Sequence, residues 1–93
     1  MRARHHFHIE YGGHSVSATV QTGDPGVVEV LVDGKETGNV TTHDDRPVTV
    51  HVELPAEPPI PVTVRAMPGP GVPRCLLLVP EEPEPHVMAP RIF

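Results

Sequence analysis

Histidine is the residue type whose spacing most invites chemistry in this chain. Seven occur in 93 residues: His5, His6, His8, His14, His43, His51 and His86. A zinc or copper site needs three or four ligands converging on one point, with metal–nitrogen distances of about 2.0–2.1 Å. His6 and His8 share one face of an extended strand, and Glu10 continues the row. His51, followed by Glu53, supplies a third imidazole if its strand lies alongside. His6, His8 and His51 are therefore the candidate metal ligands, with zinc or copper as the candidate ion. Histidines two apart on a solvated strand cost little, so the competing expectation is a polar surface with no cofactor. His5 and His14 share parity with Phe7 and Val16, which suits hydrogen-bonded structural histidines.

Other reactive side chains are weaker candidates. Ser15 and Ser17, with a histidine and Asp24, Asp44 or Asp45, are the raw materials of a hydrolytic triad. Both serines sit in an alternating strand pattern, without the sharp turn that presents a nucleophile. Cys75 is embedded in RCLLLV, where a thiol serves as a small buried hydrophobe. The glycines form no phosphate-cradling signature. The expectation is a chain that is not an enzyme.

Charge and composition exclude further classes. The formal charge is −5, Lys35 is the only lysine and the arginines are scattered, so no basic patch replaces phosphate counterions. Nucleic acid is not an expected partner. No apolar run reaches the ~20 residues of a membrane span, and MRARHHFH lacks a signal peptide's apolar segment. A single cysteine forms no internal disulfide, which fits a reducing compartment and a cytoplasmic location.

The elements that must position these residues are strands. In VVEVLVDGKETGNV, Val28, Val30 and Val32 alternate with Glu29, Leu31 and Asp33, and Asp33-Gly34 supplies a tight reversal. The polar return arm from Lys35 to Asn39 reads as a short edge strand or a loop. Arg2 to Tyr11 reads as the first strand, and Gly12-Gly13 turns it back on itself. That turn pairs Tyr11 with His14, Ile9 with Val16, Phe7 with Ala18 and His5 with Val20. Residues 48–54 and 60–67 alternate in the same way, and Pro61 lacks a ladder donor, so the second of these should begin at a sheet edge. RCLLLV is apolar on both faces, as in a strand covered on both sides.

Thirteen prolines and eight glycines leave no room for a long helix, and three aromatic residues leave an aliphatic core. The fold class is all-β: a small β-sandwich of about six to seven strands with immunoglobulin- or fibronectin-like architecture, or alternatively a small open barrel. The Cys–Trp–Cys spacing of immunoglobulin domains is absent. The expected core is Phe7, Ile9, Val16, Val20, Val28, Val30, Val32, Val50, Val52, Val62, Val64, Leu76 and Leu78. Residues 1–80 form the domain, and 81–93, EEPEPHVMAPRIF, are expected as a disordered tail. The alternative for the tail is docking through Val87-Met88 or Ile92-Phe93. Val27, Leu31 and Leu77 are the apolar residues expected on wet faces, hence the candidate partner-binding residues. These expectations converge on a non-enzymatic interaction or self-association module, a homodimer among its forms.

Overall fold

Two tight turns set the register of the first sheet. Gly12 and Gly13 both adopt positive φ (58° and 80°), giving the mirror-image turn whose twist matches the strands it joins. Strands β1 (Arg4–Tyr11) and β2 (His14–Gln21) consequently pair Tyr11 with His14, Ile9 with Val16, Phe7 with Ala18 and His5 with Val20, as the sequence dictates. Asp33 and Gly34 repeat the geometry (φ 51° and 83°) between β3 (Gly26–Val32) and β4 (Lys35–Thr42). The Asp33 carboxylate locks this turn to the first hairpin. It accepts a hydrogen bond from the Ser15 amide at 2.9 Å and shares another with His14 Nδ1 at 2.8 Å.

The computed structural model describes residues 4–23, 25–43, 46–69 and 71–91. The candidate acids Asp24, Asp44 and Asp45 and the terminal Ile92 and Phe93 lie outside the described residues. The second sheet holds β5 (Val48–Leu54), β6 (Ile60–Met67), β7 (Arg74–Leu78) and β8 (His86–Val87), and β9 (Ala89–Arg91) joins the first. The strand orders are β4-β3-β2-β1-β9 and β5-β6-β7-β8, and every pairing is antiparallel. The chain is therefore an all-β sandwich with no helix among the described residues. Its sheets are successive meanders, with a carboxy-terminal segment that returns to β1.

One apolar layer fills the space between the sheets. Phe7, Val16, Ala18, Val20, Val28, Val30 and Val32 face it from the first sheet. Val50, Val52, Leu54, Val62, Val64 and Ala66 face it from the second, with Cys75, Leu77, Val79 and Met88. Ile9 packs against this cluster only partly buried. Valine dominates because its branched Cβ is stiff and packs well on a pleated surface.

Three expectations are corrected. Leu76 and Leu78 point outward, whereas Cys75, Leu77 and Val79 point in. The register with β6 explains this: Cys75 opposes Ala66 and Leu77 opposes Val64, while Leu76 opposes Arg65 and Leu78 opposes Thr63. The return arm is neither loop nor short, because β4 runs eight residues. It absorbs an irregularity between Val30 and Leu31 that leaves Thr37 without an opposite residue.

The third correction concerns the tail. His86-Val87 pairs with β7, Ala89–Arg91 pairs with β1, and Met88 crosses between the sheets with 1% of its surface exposed. The Met88 amide also donates to the Cys75 carbonyl at 3.1 Å. Proline forbids a long ladder here, but bridges of two or three residues need few donors, and Pro90 sits on an edge strand.

Candidate functional site

The outer face of the first sheet carries the histidine row as a set of polar rungs. His6 Nδ1 and Thr19 Oγ1 lie 3.2 Å apart, and His8 Nδ1 lies 3.1 Å from Ser17 Oγ and 3.4 Å from Ser15 Oγ. His8 Nε2 is 3.1 Å from Glu10 Oε1. Each rung follows from the hairpin register, which sets His6 opposite Thr19 and His8 opposite Ser17.

This row does not assemble into a reactive centre. Ser17, His8 and Glu10 have the connectivity of a proton relay. However, β2 is an interior strand whose backbone is committed to β1 on one side and β3 on the other. No strained turn aims Ser17 at a substrate, and its own strand has no uncommitted amides to hold an oxyanion. The metal candidates are also separated. His51 lies on the outer face of the second sheet, its Nδ1 2.9 Å from Thr63 Oγ1, while His6 and His8 face outward from the first. Among the described residues no group of three or more histidine, cysteine or acidic side chains is placed to hold an ion.

The three partner-binding candidates divide. Leu77 is fully buried and leaves the set, because its parity is that of Cys75 rather than of Arg74. Val27 and Leu31 lie partly exposed on the outer face of β3, opposite Thr41 and Glu36 of β4. With Arg4, His6, Thr19 and Glu29 they line a shallow groove of about 410 Å³.

Strand order makes the two flanks of the sandwich unlike. On one, β8, Met88 and β9 cross from sheet to sheet and close the side. On the other, the edge strands β4 and β5 lie together. A Cβ on Gly38 of β4 would run into a γ-methyl of Val50 and come within 3.5 Å of one on Val52, so glycine permits this approach. The strands contribute eight and seven residues of edge, and no further strand pairs with either among the described residues.

A cluster that sequence reading missed lies at one end of the sandwich. The Tyr11 hydroxyl donates to Glu82 Oε2, His86 Nε2 sits 2.6 Å from Glu82 Oε1, and the Tyr11 and His86 rings meet edge-on at 5.4 Å. Beside it a proline-rich cleft of about 730 Å³ is lined by Tyr11, Pro58, Ile60, Val79 and Glu81. Hydrogen bonds from Tyr11 and His86 hold the Glu82 carboxyl below its usual range, and the Glu82 bond raises the Tyr11 phenol. Glu82 is thus a weak base and Tyr11 a protonated donor at neutral pH. The cluster clamps the returning segment to the first hairpin. The one sequence signal for it is His86 beside an apolar Val-Met pair, in a stretch otherwise made of proline and glutamate.

Burial pushes the Cys75 thiol up to about 12, so it is no nucleophile in the folded chain. No protein-family model, curated protein or solved structure matches this chain.

Proposed function

We propose that this domain is a non-enzymatic interaction module that accepts a partner strand on its β4/β5 flank. The observation that carries the proposal is the asymmetry of the flanks: one closed by β8, Met88 and β9, the other ending in two long edges side by side. Unpaired edge strands offer rows of N–H and C=O groups, and adding an extended segment to them is a recurrent mode of recognition. Val27 and Leu31, next to β4 on the outer face, give an incoming segment apolar surface to cover. The placement of the polar groups supports the non-enzymatic part: His6, His8 and His51 each bond a hydroxyl on the neighbouring strand, and Cys75 is buried.

A synthetic strand tests this whatever the partner is. A soluble peptide of alternating valine and threonine capped by lysines, unrelated to residues 48–54, is titrated into isotopically labelled protein while backbone amide shifts are followed. Shifts concentrated in β4 and β5 are expected. Shifts confined to β8 and β9, or none at saturating peptide, would contradict edge addition on this flank.

A further inference from the structure

Of the four sheet edges, β5 is the one without a guard. Along β4 the chain carries Lys35, the irregularity at Thr37 and Gly38. The β9 edge is three residues long with Pro90 at its centre, and β8 has only two residues. β5, in contrast, runs VTVHVEL with no proline, glycine, lysine or register shift. Edges of that regularity are normally blunted unless they pair.

We infer that β5 pairs antiparallel with β5 of a second copy of this chain, with His51 on the two-fold axis. The inference rests on the interaction-module reading and names the partner for it. The strand's own order selects that partner, because it is nearly palindromic about His51. Centred there, Val50 meets the partner's Val52, Val48 the partner's Leu54 and Thr49 the partner's Glu53. The inward valine face continues from copy to copy, and Thr49, His51 and Glu53 stay on the outer face. Competing registers are each disfavoured. A one-residue slip sets the apolar face of one copy against the polar face of the other. A two-residue shift one way moves the axis to Val52 and draws Pro55, which has no N–H to donate, into the ladder opposite the partner's Thr49. The opposite shift brings in Pro47 and leaves Glu53 and Leu54 without partners.

A charge series at Thr49 separates this interface from a general effect on folding. Within one chain Thr49 opposes Arg65, whereas across the interface it opposes the partner's Glu53. Thr49→Glu therefore favours the isolated fold and disfavours the pair, and Thr49→Lys does the reverse. Each contact occurs twice by symmetry, so sedimentation equilibrium should show Kd rising or falling roughly two- to thirtyfold. Thr49→Glu combined with Glu53→Lys restores association by exchanging the charges. Thermal unfolding of dilute protein supplies the opposite ordering for the fold. Association that ignores all three variants overturns the β5 register, while the strand-peptide titration still decides on edge addition. A chain that stays monomeric at every concentration overturns the second copy as partner.

Discussion

Replacing Met88 by alanine probes the returning segment most directly. Met88 is 1% exposed and among the largest fully buried side chains, at the point where the chain leaves the second sheet for the first. Truncating a buried methionine removes its transfer free energy and leaves a cavity, together about 2–5 kcal/mol. Domains of this size have total stabilities of about 5–15 kcal/mol, so the loss is a large share. At about 4–8 °C per kcal/mol, Tm falls by at least ~8 °C. Val87→Ala is the internal control. Val87 is the neighbouring residue, 72% exposed, and its truncation should stay within about 0.5 kcal/mol. The assay is urea and thermal unfolding followed by circular dichroism on both variants and on a chain ending at Pro85. That truncation also removes the His86–Glu82 contact and both short ladders, so it should cost no less than Met88→Ala. A truncated chain within ~1 kcal/mol of the parent would refute the reasoning and return these residues to a mobile tail.

Gly38→Ala should destabilise by about 1–3 kcal/mol, since the new methyl meets Val50, and Val50→Ala in the same chain should recover part of the loss. Acid unfolding should depend on Asp33 and Glu82. The Ser15 amide and His14 lower the Asp33 pKa, and Tyr11 and His86 lower that of Glu82. A lowered carboxyl stabilises the fold above its unfolded value of about 4, and the contribution disappears as pH falls through the folded value. Asp33→Asn and Glu82→Gln should therefore flatten the acid limb of a stability–pH curve. Tyr11 is raised, so its contribution holds below about 10 and fades as pH climbs through the folded value. Tyr11→Phe should remove that alkaline limb. Cys75 should resist iodoacetamide in the native chain and react on unfolding, as mass spectrometry would show.

Most of the first sheet is legible in the sequence because turn chemistry and parity agree there. Gly12-Gly13 allows one tight turn, and the register it imposes puts Phe7, Ile9, Val16, Ala18 and Val20 on one side. In β7 the information is thinner. An all-apolar run cannot announce its own parity, and Arg74, two residues before Leu76, is the single polar marker of the outer face. The edge strand β4 is obscured by Gly38, whose role is set by Val50 on β5, the next strand in the chain but a member of the other sheet. Composition misleads at the tail. Four residues free of proline, His86 to Ala89, suffice to bridge both sheets when a buried methionine anchors them. The fold does not bring His6, His8 and His51 together, since the two sheets of the sandwich point their outer polar rows in opposite directions. Only the histidine, serine and threonine rungs, which depend on one hairpin, follow from the sequence intact.

Hydrogen exchange of the intact chain at low and high concentration tests the central claim, that the β4/β5 flank receives a strand while the opposite flank is closed. Segment-resolved mass spectrometry would follow residues 35–42 and 48–54 against residues 86–91. Slower exchange in residues 48–54 as concentration rises, with residues 86–91 unchanged, is the predicted result. Exchange independent of concentration throughout, or protection gained at residues 86–91 instead, would contradict it.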